Sequence, residues 1–319
     1  MLKKLSFGFV ADPLDSFDRE AETTLFLMRE VARLGGSIFV CEAKDLFLKQ
    51  NEVWGRVKKI EMTENKHCFY RILKETPLNL KTLDCLFLRK DPPFDMAYLK
   101  HLWLLEKLEK KVLMVNRPSA IIRFNEKLSS LDFPFAPNTL VSSCAAQILE
   151  WSRKFSKGIV LKPLNLSGGL GICWFKKTDI GHRTSDIEKK IKQMTADETE
   201  PVIAQEYLSA AKIGDKRILL WDGKILGGFL RIPRAGEFRA NLHQGGHFVK
   251  TVLTSYDKKI ATWVGKWAKK EGLYFVGLDV IGRHLTEINV TSPMGIREVN
   301  VLYGLQVERN IIGALVKRI

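Results

Sequence analysis

Short apolar segments alternate with an amphipathic segment near the start of the chain, and this alternation most limits the folds available to it. Segments 5–10 and 37–41 are apolar and typical of buried strands. Between them, residues 21–34 have the apolar spacing of a helix, with Asp18 as a candidate N-cap. A strand, a helix and a second strand in this order favour a parallel sheet covered by helices. The opening of the chain therefore predicts an α/β domain.

Later segments extend this pattern and then change it. Strands at 85–89 and 112–116 enclose a helix over 96–108, and the first domain is predicted to end near Pro118. Antiparallel strands dominate from Pro201 onward. After Pro118 the predicted helices lie at 125–132, 145–155 and 255–270, and the predicted strands at 158–161, 172–175, 202–206, 216–221, 225–231, 273–281 and 285–290.

The formal net charge of +15 raises the question of a nucleic-acid or membrane partner. Lys and Arg occur in short groups on amphipathic segments with interleaved acids, which favours solvated helix faces over a polyanion groove. A small, highly anionic ligand is compatible with the same charge. No apolar run approaches the roughly 18 residues that span a bilayer. The five cysteines are dispersed without C-x-x-C spacing, which favours a reducing cytoplasm over disulfides or structural zinc.

The hairpin predicted near the C-terminus carries the strongest chemical signal. Because side chains alternate along a strand, pairing the apolar faces sets Leu278 opposite Ile288. That register places Asp279 opposite Glu287, with Asn289 on the same face. Carboxylates at opposed positions, roughly 5 Å apart at Cβ, destabilise a sheet unless a cation lies between them. Hard oxygen ligands of this kind suit Mg²⁺ rather than zinc.

Two other interpretations of this hairpin stay open. A turn of only two residues would place Asp279 opposite Thr286 and would remove the argument for a cation. A solvated polar face would show the same alternation of side chains.

A glycine-rich loop is the second signal. It runs from Lys162 to Gly171 between two strands, and its consecutive backbone N–H groups could form an anion-binding nest. The loop matches neither G-x-x-x-x-G-K-[ST] nor G-x-G-x-x-G, both of which lead into a helix. A plain turn between strands is the alternative. Lys162 at the end of the preceding strand, and Lys127 with it, would supply cations for phosphate.

Arginines near the long segment 232–250 are the third signal. Arg217, Arg231, Arg239 and Arg297 lie on predicted strands or beside glycines, and Arg binds carboxylates in a bidentate manner. Each of them could equally be structural. A connection this long is more often a lid or a binding loop than an inert linker.

Several motifs, taken together, resemble bacterial glutathione synthetases of the ATP-grasp superfamily. They occur in the order known for that family and extend from the first domain nearly to the C-terminus. The matching segments are 89–95 (RKDPPFD), 125–128 (NEKL), 214–217 (GDKR), 276–282 (VGLDVIG) and 285–293 (LTEINVTSP).

This resemblance implies a fold and a division of the chain. The fold is an α/β N-terminal Rossmann-like (pre-ATP-grasp) domain followed by an α+β ATP-grasp fold of two subdomains. The implied bounds are 1–122 for the N-terminal substrate domain, 123–204 for the central subdomain with the phosphate loop, and 205–319 for the C-terminal subdomain with the metal site and the lid.

The resemblance also implies roles for individual residues. Asp279, Glu287 and Asn289 would bind Mg²⁺, with Mn²⁺ as an alternative, and Arg217, Arg231 and Arg239 would be catalytic. The substrates would contact Arg217, Arg239, Asn241, Gly246, Ser292 and Arg297. The nucleotide would contact Lys127, Lys162, Ser167, Gly168, Gly169, Gly171, Gln205, Glu206, Tyr207, Leu208 and Asp215.

The implied reaction joins γ-glutamylcysteine and glycine through an acyl phosphate to give glutathione, ADP and phosphate. Its partners would be these small molecules and ATP, without nucleic acid or membrane, and the implied assembly is a homotetramer in the cytoplasm. The alternatives are a related ATP-grasp peptide ligase with another donor or amine, and a non-catalytic, basic nucleotide- or RNA-binding protein.

Three departures from the family pattern concern the phosphate loop and the substrate side. Asn165-Leu166-Ser167 stands where the family usually has Asp-Gly-Met, and His247-Phe248-Val249 where it usually has Arg-Gly-Glu. Met294 replaces the usual Thr. The residues matched to ATP and magnesium are unchanged, so the departures leave the donor and the acceptor open.

Overall fold

The computed structural model describes residues 5–65, 68–182, 184–234, 237 and 245–319. Its first sheet has a parallel centre, in which β1 pairs with β2 and β6, and β6 pairs with β7. The elements of this region are β1 (Ser6–Ala11), α1 (Thr23–Arg33), β2 (Ser37–Cys41), β3 (Leu46–Lys49), β4 (Glu52–Met62), β5 (Tyr70–Asn79), β6 (Cys85–Arg89), α2 (Met96–Glu106), β7 (Leu113–Val115) and α3 (Pro118–Arg123). The predicted α/β opening is therefore confirmed.

Two features of this first sheet differ from the sequence interpretation. Strands β3, β4 and β5 add an antiparallel extension beyond β2. Much of β5 is exposed and carries mixed charges, so it lacks the apolar run by which a buried strand is found. The N-cap of α1 is Glu22, whose side chain accepts from the backbone N–H of Thr24, whereas Asp18 accepts from the turn before it.

The second sheet is antiparallel and has the order β10-β9-β11-β8. The glycine-rich loop lies between β9 and β10, as the sequence predicted. The polar stretch that follows β10 forms two helices, α5 and α6. The elements are β8 (Thr139–Ser142), α4 (Ala145–Ser152), β9 (Ile159–Pro163), β10 (Cys173–Phe175), α5 (Lys177–His182), α6 (Thr184–Met194) and β11 (Val202–Glu206).

The third sheet is also antiparallel, with the order β14-β13-β12-β15-β16. Residues His247–Lys250, predicted to be irregular, pair with β13 as a strand, which corrects that interpretation. The elements are β12 (Asp215–Trp221), β13 (Lys224–Ile232), β14 (His247–Lys250), α7 (Ser255–Glu271), β15 (Phe275–Ile281), β16 (His284–Asn289), α8 (Ile296–Tyr303) and α9 (Val307–Val316).

The hydrophobic cores explain where a cleft can form. Apolar residues of the first and third sheets pack into shared clusters, in which Leu86 of β6 lies with Leu278 of β15. The second sheet has a separate cluster that includes Leu161 of β9 and Ala204 of β11. The first and third sheets therefore share a hydrophobic base, and the second sheet faces it across a boundary of polar residues. In the described part of the chain, no helix has both the length and the apolar character needed to cross a bilayer.

Candidate active site

Two cavities meet where the second sheet faces the third. The first cavity, of about 90 Å³, lies against the glycine loop and β11. The second, of about 490 Å³, lies between the third sheet and the loop that follows β6. Both are lined by Ser167, Gly168, Asp279 and Glu287. The glycine loop and the C-terminal hairpin thus form opposite walls of one connected space.

The hairpin β15–β16 has the register predicted from its apolar pattern. Leu278 pairs with Ile288, and Asp279 pairs with Glu287. The turn nevertheless contains only two residues, since Ile281 pairs with His284. A β-bulge next to Asp279 adds one residue to β16 and restores the register that the short turn alone would have shifted. The predicted pairing of the two carboxylates is confirmed, although the sequence did not predict the short turn and the bulge that produce it.

Asp279 is the most heavily paired carboxylate at this junction. Arg217 Nε lies 2.6 Å from its Oδ1 and Arg217 Nη2 lies 3.1 Å from its Oδ2. Arg231 Nη2 lies 2.9 Å from the same Oδ2. Burial alone would raise the pKa of Asp279, but the two guanidinium groups outweigh burial and hold that pKa below its ordinary value. Asp279 is therefore ionised at neutral pH, and its charge is shared between two cations.

Arg231 connects this cluster to a second carboxylate. It pairs with Asp215, which lies directly opposite it in the ladder of β12 and β13. Burial acts to lower the pKa of Arg231, whereas Asp215 and Asp279 raise it further and prevail. Asp215 lines the first cavity, so a residue that the resemblance assigns to the nucleotide also anchors an arginine of the second cavity.

The donor set of the hairpin suits a divalent metal. Glu287 Oε1 lies 3.3 Å from Lys127 Nζ. The amide nitrogen of Asn289 donates to the carbonyl of Gly277 at 3.3 Å, which leaves its amide oxygen for a cation. Among the described residues, no three His, Cys, Asp or Glu side chains gather into a metal-binding group. A metal here would therefore have two carboxylates, one amide oxygen and oxygens of a phosphorylated ligand, the coordination that Mg²⁺ favours.

The glycine loop is shaped by left-handed backbone conformations. Gly168, Gly169 and Gly171 have φ values of 63°, 78° and 68°, which L side chains rarely adopt. A Cβ on Gly171 would also lie 2.8 Å from Cγ of Pro163. Gly168 and Gly169 line the first cavity, whereas Gly171 is absent from the lining of both. The role of Gly171 in this structure is to form the turn.

Three contacts from outside hold the glycine loop in place. Asn125 Nδ2 donates to the carbonyl of Leu164 at 3.0 Å, and Lys127 Nζ donates to the carbonyl of Leu166. The backbone N–H of Phe94 donates to the carbonyl of Asn165 at 2.9 Å. The loop is therefore positioned by the segment that follows α3 and by the loop after β6.

The two lysines predicted to contact phosphate both line the first cavity. Lys162 Nζ lies 2.8 Å from Oε1 of Gln205, and burial in the wall lowers the pKa of Lys162. Lys127 is buried and points at Glu287, as described above. The lysines approach the junction of the cavities from the second sheet and from the segment after α3.

One aromatic residue in the lining of the first cavity, Tyr207, is backed by a tryptophan. The ring of Tyr207 stacks on Trp174 with centroids 4.0 Å apart and planes 9° apart. Burial raises the pKa of Tyr207, and among the described residues no group hydrogen-bonds to its hydroxyl. Gln205, Glu206 and Leu208 line the same cavity, as the resemblance implies. Trp174 was missed by the sequence interpretation, because its stacking partner lies on a different element.

The second cavity is lined by both cationic and apolar groups. Arg217, Arg231 and Arg297 reach it with Gly246 and Ser292, so these five predicted residues lie together. The apolar part includes Phe229, Phe248 and Met294. Arg239 and Asn241, for which the resemblance implies substrate contacts, lie outside the described residues.

Three buried polar residues near the cavities received no role from the sequence. Arg89 donates to the carbonyl of Pro293 at 3.1 Å, and Asn116 bonds to the backbone of Phe275 and Val290. Glu126 bonds to the backbone beyond β16. Arg89 and Glu126 do fall within the family motifs, which was the available signal, whereas nothing in the local pattern around Asn116 marks it.

Two family models of known proteins together match most of this chain. A family model described as "Prokaryotic glutathione synthetase, N-terminal domain" matches residues 5–122. A second, "Prokaryotic glutathione synthetase, ATP-grasp domain", matches residues 126–304. The glutathione synthetase of Pseudomonas syringae is 37% identical over 317 residues, which covers 98% of this chain and 97% of the relative. That of Escherichia coli is 36% identical over 318 residues and covers 99% of both chains.

Solved structures agree with the fold at much lower identity. D-cycloserine synthetase DcsG superposes with a TM-score of 0.68 at 11% identity, covering 97% of this chain and 99% of that one. The ATP-grasp ligase PsnB, solved with a minimal precursor, has a TM-score of 0.64 at 14% identity, covering 99% and 100%. Both likenesses support the predicted fold, an N-terminal domain followed by an ATP-grasp domain. With family models over both domains and full-length relatives above 30% identity, this chain belongs to the prokaryotic glutathione synthetase family.

Proposed function

We propose that this protein is an ATP-dependent ligase that joins γ-glutamylcysteine to glycine and releases glutathione, ADP and phosphate. Membership of the glutathione synthetase family supports this activity. The observation that carries it is the meeting of the glycine loop with Asp279 and Glu287 at the junction of the two cavities. One cavity suits a nucleotide and the other a small anionic peptide, and a phosphoryl group at their junction would be within reach of both.

The proposed reaction has two steps. A carboxylate oxygen of γ-glutamylcysteine attacks the γ-phosphorus of ATP, the bond from that phosphorus to ADP breaks, and an acyl phosphate forms. The neutral amine of glycine then attacks the carbonyl carbon. The tetrahedral intermediate expels phosphate as its C–O bond breaks, and the nitrogen gives up a proton. Such chemistry requires alignment and neutralisation of charge rather than an enzyme nucleophile.

The chain's cations provide that neutralisation. Lys127 and Lys162 both line the first cavity and would contact the nucleotide phosphates there. Arg217 and Arg231 line the second cavity and would stabilise the negative charge of the transferred phosphoryl group and of the tetrahedral intermediate. Their pairing with Asp279 fixes the guanidinium groups before substrate arrives, so little reorganisation is needed.

The family and the donor set support a divalent metal in this reaction, and we propose Mg²⁺, with Mn²⁺ as a substitute. Glu287, Asn289 and Asp279 would hold it. When bound, the metal would neutralise charge on the phosphate oxygens of ATP. Two carboxylates and an amide give the oxygen-only environment that Mg²⁺ prefers over softer metals.

An acyl phosphate must be shielded from water, and strand β14 contributes to that shielding. Gly246, His247 and Phe248 line the second cavity beside Phe229. The segment before β14 contains Arg239 and Asn241, for which we propose substrate contacts on the basis of the family resemblance. We propose that it acts with β14 as the lid.

The remaining proposals concern organisation. The bounds 1–122, 123–204 and 205–319 follow the family pattern for the substrate domain and the two ATP-grasp subdomains. Cytoplasmic location and a homotetramer are proposed from the same resemblance.

The decisive assay measures ADP release with each substrate omitted in turn. Release should require ATP, γ-glutamylcysteine, glycine and Mg²⁺ together, with one glutathione formed per ADP. ADP release with another donor or amine, combined with none from this pair, would refute the proposal. Binding of RNA that weakens with salt, without ligase activity, would instead indicate a nucleic-acid-binding protein.

A further inference from the structure

The backbone that follows β16 is held by a side chain from outside the third sheet. Glu126 Oε1 accepts from the N–H of Val290 at 2.8 Å and from the N–H of Thr291 at 3.0 Å. The hydroxyl of Thr291 donates to the same oxygen at 2.8 Å. The backbone carbonyl of Glu126 accepts from the N–H of Ile288 at 2.8 Å. Glu126 therefore accepts four hydrogen bonds from residues on both the N-terminal and the C-terminal side of Asn289.

These hydrogen bonds lie at the C-terminal end of β16, where the strand pairing ends. Asn289 is the last residue of β16, paired with Gly277, and the strand ladder ends there. Beyond it, the carbonyl of Val290 accepts from Nδ2 of Asn116 at 2.8 Å, while its N–H is bound by Glu126. Both backbone groups of Val290 are thus satisfied by buried side chains instead of a neighbouring strand. A shift of the peptide group between Asn289 and Val290 would therefore move Asn289.

The residues on either side of Glu126 contact the opposite wall of the cleft. Asn125 and Lys127 hold the carbonyls of Leu164 and Leu166 in the glycine loop. Glu126 is itself 8% exposed, and it lines the second cavity. Three consecutive residues therefore set the position of both the loop and the end of the metal-binding hairpin.

We propose that Glu126 is a positioning residue for the metal site, which fixes Asn289 by accepting hydrogen bonds through one carboxylate oxygen. The inference rests on the proposed function, because it takes Asn289 as a metal ligand. Groups that hydrogen-bond to metal ligands and orient them typically contribute about 10- to 100-fold to metal affinity. Glu126 supports the backbone on which the ligand lies, so what matters is the position of the accepting oxygen and not the charge.

Two conservative variants separate position from charge. Glu126→Gln removes the charge but keeps an oxygen at the same reach for all three donors. Glu126→Asp keeps the charge but withdraws the oxygen by about 1.5 Å, the length of one carbon–carbon bond. Glu30→Asp is the matched control, because Glu30 is also buried, at 5% exposure, and pairs with Arg33 on α1, away from both cavities.

The test measures the affinity for Mn²⁺ in protein saturated with ADP, from the electron paramagnetic resonance signal of free Mn²⁺. Glu126→Asp should raise the dissociation constant of Mn²⁺ by about tenfold or more, and Glu126→Gln should change it by less than about threefold. Glu30→Asp should lower the melting temperature without changing Mn²⁺ affinity. That contrast separates positioning of the ligand from general stability.

Opposite results would overturn the inference. If Glu126→Gln weakens Mn²⁺ binding as much as Glu126→Asp, the charge is responsible; if neither variant changes it, Glu126 does not position the ligand. Glutathione formation by the unaltered protein is measured in parallel. Its absence would count against the proposed function, whereas normal synthesis with unchanged Mn²⁺ affinity in Glu126→Asp would count against Glu126 alone.

Discussion

The two walls of the cleft are built on different physical principles. On the third sheet, Asp279 and Asp215 are buried with Arg217 and Arg231, so each charge is stabilised by charges already in the protein. On the second sheet, the glycine loop offers backbone N–H groups, and Lys162 bonds to the neutral side chain of Gln205. The first wall therefore pairs its buried aspartates with arginines before substrate arrives. Lys162 of the second wall hydrogen-bonds a neutral side chain, so an anionic ligand would offset the cost of its burial.

This difference implies that substitutions should act differently on the two walls. Removing one member of a buried ion pair leaves an uncompensated charge, which is strongly destabilising. Removing a cation whose burial already disfavours its charge should affect stability little and ligand binding more. The following predictions test that contrast, from the largest expected effect to the smallest.

The largest effect is expected for Arg217→Met. Asp279 would keep only Arg231, and the free energy of unfolding should fall by about 3 kcal/mol. Urea denaturation followed by circular dichroism measures this change. A loss below about 1 kcal/mol would show that the charges of this wall are solvated and not mutually dependent.

Glu287→Ala should abolish metal-dependent turnover while the fold stays intact. Loss of a ligand should cost more than loss of the groups behind it, so kcat should fall by more than about 100-fold. Steady-state ADP release measures the effect, with Glu61→Ala on the exposed face of β4 as the control. Unchanged kcat in Glu287→Ala would remove the metal assignment.

Gly171→Ala should have an intermediate effect on the glycine-loop wall. The left-handed φ of 68° and the contact with Pro163 together should cost about 1 to 2 kcal/mol of stability and weaken ADP binding. Gly35→Ala offers a control, because it has a φ of 78° but no atom within 4 Å of its added Cβ. Equal ADP affinity in the two variants would show that the loop tolerates the distortion.

Lys162→Met should have the smallest effect on stability. The free energy of unfolding should change by less than about 1 kcal/mol, because loss of the hydrogen bond to Gln205 is offset by relief of the unfavourable burial of the Lys162 charge. Calorimetric titration should nevertheless show roughly tenfold weaker ADP binding, as expected when one charge-assisted hydrogen bond is removed. A stability loss equal to that of Arg217→Met would erase the difference between the walls.

The hairpin β15–β16 shows how far sequence reasoning extends. The apolar faces of β15 and β16 predicted the pairing of Asp279 with Glu287, because any other register would expose Leu278 or Ile288. The short turn and its compensating bulge were not predicted, since the pattern specifies the outcome of pairing and not the path of the chain. A local pattern was sufficient because both strands lie within one short segment.

The buried polar residues that support the site could not be predicted from the sequence pattern. Asn116 and Glu126 both hydrogen-bond to Val290, which lies 174 and 164 positions further along the chain, respectively. No periodicity relates such positions, and a buried polar residue resembles a surface one in sequence. The antiparallel extension from β3 to β5 was missed for a related reason, because its outer strand buries few side chains.

If a carboxylate of γ-glutamylcysteine is phosphorylated in the proposed reaction, one of its oxygens must leave with the phosphate, and isotope labelling follows that oxygen. γ-Glutamylcysteine carrying ¹⁸O in both oxygens of its cysteinyl carboxylate is incubated with ATP, glycine and Mg²⁺, and the products are analysed by mass spectrometry. Each released phosphate should then carry one ¹⁸O, and the new amide of glutathione should carry the other. Glutathione formed together with unlabelled phosphate would contradict the proposed reaction.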